Sequence, residues 1–188
     1  MPEWKSWTFG GEDEFGFAVP TPAGEKPAPA APAPGMEVDP AAEKWGVEVE
    51  PVTIERIERV VEGDGLPHGS NEFVVITEIE GRRMQIHREP ADSAWMQVET
   101  RIDLPAEAIE GLDAEALNTL SNGWNTDHLQ PTMFAMRVED GWAFVLATRF
   151  YVAEGMSDRQ IHAALRRGVG VTRQAAEAIP GLVEAAKK

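Results

Sequence analysis

Hydrophobic and polar positions alternate most regularly between Phe73 and His87. Two runs rich in β-branched residues are joined there by Glu80-Gly81, a two-residue connection whose glycine can adopt the positive φ of a tight turn. Because side chains alternate across a strand, one face of this hairpin is apolar and is predicted to face a core. The other face is only partly polar and carries Val74, Ile76, Glu78, Arg83, Gln85 and His87. The pattern therefore predicts a hairpin with one buried face and one open face.

A helix is predicted before this hairpin and a third strand after it. Thr53 is a suitable N-cap for a helix over residues 54–62, whose apolar side chains recur at helical spacing. Residues 94–104 again alternate apolar and polar side chains, with Trp95 on the more polar side, and Pro105 closes the strand.

The following segment predicts a second helix and a second hairpin. Asp113 is a suitable N-cap for a helix that runs to about Leu129, before Pro131. Strands over 132–139 and 142–152 are predicted to meet at Asp140-Gly141, a dipeptide that favours a type I′ turn. This hairpin is apolar on both faces, so we expect it to be sandwiched, either centrally in the sheet or against another subunit.

A third helix completes the predicted fold. Ser157-Asp-Arg-Gln160 forms a capping box, and Pro180 is expected to end the helix near Ile179. The element order is α-β-β-β-α-β-β-α, with short connections between successive strands. It predicts an α+β domain with a mainly antiparallel five-stranded sheet and helices packed on it.

The N-terminal part differs in composition from the rest. Residues 1–19 mix aromatic and acidic side chains and are predicted to be a disordered tail, residues 20–44 are a Pro/Ala-rich linker, and residues 45–185 are the folded domain. The tail either has no function or is a tethered peptide that docks on a partner. Trp4 and Trp7 carry the second interpretation, because buried tryptophans dominate interface energetics.

Charge and composition exclude several classes of protein. The formal net charge of −15 repels phosphate groups, so we expect neither a nucleic-acid nor a membrane partner. The absence of cysteine excludes disulfides, thiolate metal sites and cysteine nucleophiles. The N-terminus lacks the basic start and apolar run of a signal peptide, so the expected location is the cytoplasm.

The search for catalytic motifs favours a protein that is not an enzyme. No two of the four histidines have the short spacing of a metal-ligand pair, and we expect no metal and no cofactor. The sequence has no Gly-x-Ser-x-Gly elbow, and the glycine-rich stretch after Gly168 lacks the Gly-Lys-Ser/Thr ending of a phosphate loop.

One cluster of positive charge stands out in this acidic chain. It consists of Arg159, Arg166, Arg167 and Arg173 on the third helix. These side chains either pair with carboxylates of the same domain or form a docking face for an acidic partner, which includes the N-terminal tail.

Five segments carry a resemblance to a known family. They are residues 52–57, 75–81, 96–99, 120–125 (Leu-Ser-Asn-Gly-Trp-Asn, followed by Pro131) and 157–161. These segments resemble the YbjN-like family of bacterial proteins, described as sensory-transduction regulators, over roughly residues 48–180. The resemblance implies a fold similar to type III secretion chaperones and a domain that usually dimerises. It implies no catalytic residues, and Gly123 stands where the family more often has a larger polar residue.

The expected function is therefore a non-enzymatic protein-protein interaction module, homodimeric, with a regulatory or chaperone-like role and a protein partner of unknown identity. The alternative is a small-ligand-binding sensory domain with a pocket between the sheet and the second helix, near Trp95 and Trp124. The candidate partner-binding residues are Val74, Ile76, His87, Trp95, Trp124, Trp4 and Trp7.

Overall fold

One antiparallel sheet carries all the long helices on one of its faces in the computed structural model, which describes residues 40–88 and 90–187. The elements are α1 (Pro40–Trp45), α2 (Ile54–Gly63), β1 (His68–Ser70), β2 (Val74–Ile79), β3 (Arg82–His87), β4 (Trp95–Leu104), α3 (Ala114–Asp127), β5 (Thr132–Val138), β6 (Gly141–Tyr151) and α4 (Asp158–Ala186). The strands lie in the order β1-β2-β3-β4-β6-β5, and each neighbouring pair is antiparallel. The predicted α+β class is confirmed.

The described sheet has six strands, so the prediction of five was wrong. The additional strand is β1, which has three exposed residues and pairs with β2. Its Pro-His-Gly surroundings are typical of a loop, and its exposed side chains give no alternating pattern. A strand this short is held by backbone pairing at the sheet edge, which periodicity does not reveal.

The short helix α1 begins in the stretch that composition assigned to the linker, residues 20–44, and ends at Trp45, the first residue of the predicted domain. The ring of Trp45 stacks on that of His162 with centroids 4.9 Å apart. It also covers Gly63, where a Cβ would overlap the indole. This close packing of one aromatic side chain on α2 and α4 orders a segment whose Pro/Ala composition favours an extended chain.

The predicted helix starts are confirmed. The hydroxyl of Thr53 accepts the backbone N–H of Arg56 at 3.3 Å, and the carboxylate of Asp113 accepts that of Ala116 at 2.9 Å. Ser157 forms the complete capping box, with both its side-chain and its backbone hydrogen bond present.

Both predicted hairpins form, but the second turn lies one residue earlier than predicted. In β2 and β3, Val75 lies opposite Ile86, as the alternation requires. In the second hairpin Val138 pairs with Gly141, so the connection is Glu139-Asp140 rather than Asp140-Gly141. The glycine takes a φ of 146° as the first residue of β6. The pairing partners shift by two positions, and because the strand period is two, every side chain keeps its predicted face.

The prediction that α4 ends near Ile179 was wrong. The helix has 29 residues and continues through Pro180 to Ala186. Ile179 and Val183 are both buried in the core, on either side of the proline. One missing backbone hydrogen bond at Pro180 is offset by the burial of these apolar side chains, and local sequence rules do not include that tertiary contribution.

The core between the sheet and the helices consists of two groups of buried side chains. One joins α2 and the first half of α4 to β2, β3 and β4, and the other joins α3 and the second half of α4 to β5 and β6. All the sheet residues in these groups belong to one face. The opposite face, which we call the open face, receives none of the long helices.

Candidate functional site

The open face of the sheet is the candidate functional site. Its central residues follow directly from the strand register: Val74, Ile76, Gln85, His87, Trp95, Gln97, Glu99, Phe134, Met136, Val145, Ala147, Arg149 and Tyr151. Their neighbours along each strand point into the core, where Met84, Met96 and Leu146 are buried. The open face is therefore fixed by the same alternation that builds the core.

Four large apolar side chains on the open face remain in water. Trp95, Phe134, Met136 and Tyr151 are between 36% and 54% exposed. Most of the other apolar side chains of this size in the described sheet are at least partly buried, so these four define an unusual surface. Scattered exposed apolar residues are ordinary, whereas a group of them on one flat face is typical of a binding surface.

The exposed apolar side chains form two groups along β6. Trp95 and Tyr151 face each other across β4 and β6 and make an edge-to-face contact with ring centroids 5.4 Å apart. We call these two residues the aromatic pair. Farther along β6, Phe134 lies opposite Val145 and Met136 lies opposite Ala143. We call Phe134, Met136 and Val145 the apolar patch.

A polar cluster separates these two apolar groups. His87, Gln97 and Arg149 lie in one row across β3, β4 and β6. The guanidinium Nε of Arg149 donates to Oε1 of Gln97 at 2.7 Å, and Nε2 of Gln97 donates to Oε2 of Glu99 at 2.6 Å. The ring Nε2 of His87 lies 3.2 Å from Oε1 of Glu99. With Ser93 and Trp95, these side chains line a cleft of about 350 Å³.

The His87 ring lowers the pKa of Glu99 below its usual value of 4.5, by direct contact and by charge attraction. Partial burial of the carboxylate acts in the opposite direction, and contacts with Gln97 and Arg149 add smaller lowering effects. Charge and hydrogen bonding to the ionised form therefore outweigh desolvation at this site.

Because the folded-state pKa of Glu99 is lowered, its ionised form stabilises the fold above about pH 4.5, and this contribution is lost as the pH falls through the folded pKa. We expect Glu99→Gln to lower the free energy of unfolding at pH 7 by at most about 1 kcal/mol, because the pair is partly in water. The difference between wild type and variant should shrink as the pH falls from 7 to 3. Urea titrations across this range measure it.

His87→Gln is the companion variant for this pH dependence. Removal of the ring should reduce the part of the free energy of unfolding that Glu99 contributes at pH 7 and loses at low pH, because the ring is the main cause of the lowered pKa of Glu99. A Glu99→Gln protein with the full acid sensitivity of wild type would show that Glu99 does not contribute to it.

The predicted partner-binding residues do not all lie together. Ile76, His87 and Trp95 are on the open face, and so is Val74, although Val74 is buried. Trp124 lies on α3, on the helix side of the sheet, where it packs against the second core group. Trp4 and Trp7 fall outside the described residues.

The prediction of a ligand pocket near both Trp95 and Trp124 is therefore wrong. The two rings lie on opposite faces of the sheet, so no single cavity contains both. Trp124 has a local role instead: its indole Nε1 donates to the carbonyl of Pro131 at 2.8 Å, and its ring stacks on His128 with centroids 3.7 Å apart.

The neighbouring Asn125 protects the outer edge of the sheet. Its side-chain amide donates to the carbonyl of Met133 and accepts the N–H of Met133, both at 2.7 Å. This pair of hydrogen bonds replaces a neighbouring strand at that position, which blunts an otherwise unpaired edge. The Trp124-Asn125 stretch, the most particular part of the family resemblance, thus connects α3 to β5.

Sequence reasoning did not select Phe134, Met136, Tyr151 or the partners of His87 as site residues. The signal for the first three was present, since both faces of the second hairpin alternate as apolar. That pattern left open whether the hairpin is central or covered by another subunit. The structure places β6 between β4 and β5, with β5 at the edge of the described sheet, and Phe134, Met136 and Tyr151 on these two strands stay exposed.

Within the described part of the chain, no group of three or more His, Asp or Glu side chains is arranged to hold a metal ion. None of the helices described is both long enough and apolar enough to cross a membrane.

No protein-family model and no curated protein matches the chain. Solved structures do: the chain is similar to YbjN from E. coli, a candidate transcription regulator, with 13% identity and a TM-score of 0.49, covering 74% of this chain and 95% of that one. YbjN is thus among the similar structures, as the sequence resemblance predicts.

Two further structures are similar to the chain. An uncharacterized protein from Methanothermobacter thermautotrophicus has 10% identity and a TM-score of 0.49, covering 69% of this chain and 97% of that one. A chain of the ExoT-SpcS complex from Pseudomonas aeruginosa has 16% identity and a TM-score of 0.38, covering 63% and 92%. Likenesses at this level do not assign a function.

Proposed function

We propose that the chain is a non-enzymatic protein-interaction module and that its open face is the binding surface. The observation that carries this proposal is the exposure of Trp95, Phe134, Met136 and Tyr151 on one face of the sheet. Aromatic side chains and methionine are enriched where proteins bind each other, because their burial removes much apolar surface from water.

The polar cluster between the aromatic pair and the apolar patch supports a specific contact rather than general adhesion. Glu99 and Arg149 present both signs of charge close together, and Arg101 and Asp103 do so farther along β4, with Nε of Arg101 3.0 Å from Oδ1 of Asp103. A partner must match these charges as well as the apolar groups, and mismatched charges disfavour wrong partners.

The first partner we propose for this face is a second copy of the chain. In a two-fold symmetric dimer the same surface meets itself, so it must be self-complementary. A face that carries apolar groups together with both charge signs meets that requirement. The wider function that we propose for the dimer is a regulatory role or a chaperone role toward another protein, similar to that of type III secretion chaperones.

The test is the substitution Phe134→Glu in the full-length chain. A carboxylate in the middle of the apolar patch must be desolvated when the face is covered, so we expect the dimer dissociation constant to rise by at least about tenfold. Sedimentation equilibrium over a range of concentrations measures this. Leu129→Glu is the matched control, because Leu129 is 92% exposed but lies outside the sheet, between α3 and β5.

The outcomes separate the parts of the proposal. A wild-type dimer that Phe134→Glu dissociates and Leu129→Glu does not supports the whole proposal. If the wild type is a monomer, chemical crosslinking to cell proteins tests the face directly. Loss of crosslinks in Phe134→Glu but not in Leu129→Glu would show that the open face binds another protein and not a second copy of the chain. If both variants behave as wild type in both measurements, the open face is not an interface.

A further inference from the structure

A second concave surface lies on the helix side of the sheet. It is a groove of about 410 Å³ between α2, the end of β2 and α4. Specific small-molecule sites typically measure about 300–1,000 Å³, so the groove is large enough to hold one. We call it the amphipathic groove, for the two properties described next.

The floor of the amphipathic groove is apolar. It is lined by Val61, Leu66, Ile79, Ile86, Leu165 and Val169. Leu66, Ile79 and Val169 are only partly buried by the protein itself, at the margin of the first core group. The side chains that line the groove therefore keep apolar surface that a bound apolar chain would remove from water.

The charged side chains at the rim of the groove differ in whether they have an oppositely charged neighbour. Arg173 is paired, with Nη1 3.1 Å from Oε1 of Glu80, and Asp64 lies 3.0 Å from Nδ1 of His162. Arg166 also lines the groove, and its side chain makes no hydrogen bond or ion pair with the described residues. The groove thus presents one cation without a partner in the described part of the chain, above an apolar floor.

Gly170 leaves part of the groove open. It lines the groove on α4, and a Cβ added there would meet no atom within 4 Å. A glycine in a helix interior lowers helix stability by about 1 kcal/mol relative to alanine. Gly170 therefore makes α4 less stable but leaves space beside Arg166.

We propose that the amphipathic groove binds a small amphipathic anion, an unbranched apolar chain that ends in a single carboxylate. The chain would lie on the floor between α2 and α4, and the carboxylate would accept hydrogen bonds from the guanidinium of Arg166. Arginine binds a carboxylate through two parallel N–H donors, and such charge-assisted bonds are among the strongest in proteins.

This site is separate from the proposed protein interface. The groove is on the helix side and the open face is on the other side of the same strands, so either proposal can fail without the other. It also differs in place from the pocket expected from the sequence, which was next to the second predicted helix, α3 here.

The probe is decanoate, titrated by isothermal calorimetry into the full-length chain, with decanol as the uncharged comparison. We expect saturable 1:1 binding of decanoate and weaker binding of decanol. Arg166→Gln should weaken decanoate binding by about tenfold, which is the effect of losing one charge-assisted contact. Arg167→Gln is the matched control, since Arg167 is the next residue on α4 and does not line the groove.

Gly170→Leu tests the floor independently, because the added side chain would occupy the groove and should abolish binding of decanoate and decanol alike. Phe134→Glu should bind decanoate as wild type does, whatever its effect on self-association. The proposal is overturned if wild type shows no saturable binding of decanoate below about 1 mM. It is also overturned if Arg166→Gln and Arg167→Gln have equal effects, or if Gly170→Leu, shown to be folded by circular dichroism, still binds.

Discussion

Arg56→Ala is expected to lower the free energy of unfolding by about 3–5 kcal/mol, the typical effect of removing one partner of a buried ion pair. Arg56 is only 6% exposed, although it belongs to a helix whose other charged residues face water. Its Nε and Nη2 atoms both donate to Oδ1 of Asp158, at 2.9 and 2.5 Å. The same guanidinium also donates to the carbonyls of Glu50, Pro51 and Met156, at 2.8 to 2.9 Å.

The oxygen atoms that accept hydrogen bonds from Arg56 differ in whether they keep another hydrogen-bond partner when Arg56 is removed. The carbonyls of Glu50 and Met156 also accept each other's backbone N–H, at 2.9 and 3.3 Å, so they keep one partner. The carbonyl of Pro51 and the Oδ1 atom of Asp158 have no such second partner among the described residues. A polar group left buried without a partner costs about 1–3 kcal/mol, and more when it is charged.

Arg59→Ala is the matched control for this prediction. Arg59 donates to the other oxygen of the same carboxylate, Oδ2 of Asp158, at 3.2 Å. Its side chain is 61% exposed, so its removal should cost less than about 1 kcal/mol. Urea unfolding followed by circular dichroism measures both variants. An Arg56→Ala protein within 1 kcal/mol of wild type would mean that the buried contacts of Arg56 do not hold α2 to α4.

The role of Arg56 could not be predicted from the sequence, because its carboxylate partner is 102 residues away. Helical spacing predicted the stripe of Ile54, Ile57 and Val61, and all three are buried. The same rule places a charged residue beside the stripe in solvent, since arginine is rarely buried without a partner. Local patterns identify which face of a helix is apolar but not which distant charge can satisfy a buried guanidinium.

The open face shows a similar division between what is local and what is not. Alternation along residues 73–87 predicted which side chains share a face, and the register of Val75 with Ile86 confirms that prediction. The order of strands in the sheet depends on long-range pairing, however. Only that order brings Trp95 opposite Tyr151 and places Arg149 beside Gln97. The side chains that each strand contributes to the open face were therefore predictable, whereas the neighbours that they have on other strands were not.

Gly168→Ala and Gly170→Ala are expected to change stability in opposite directions, although the two glycines are only two positions apart on α4. A Cβ at Gly168 would lie 3.0 Å from the Cβ and Cγ2 atoms of Val98, whereas a Cβ at Gly170 meets nothing within 4 Å. Overpacking costs about 1–3 kcal/mol, and alanine returns about 1 kcal/mol of helix stability. We therefore expect Gly168→Ala to lose up to about 2 kcal/mol and Gly170→Ala to gain up to about 1 kcal/mol, both measured by urea unfolding.

The double variant Gly168→Ala with Val98→Ala identifies the cause of the first effect. Val98 is fully buried on β4, so Val98→Ala alone should destabilise the fold by loss of apolar burial and by the cavity that it leaves. If α4 packs on β4 as closely as the Gly168 contact indicates, the added methyl group fills part of that cavity. The double variant should then be more stable than the sum of the two single effects predicts, with a coupling of about 0.5–3 kcal/mol, as is found for residues in contact. Additive effects would mean that Gly168 influences the helix alone, and the close approach of α4 to the sheet would not be what requires a glycine there.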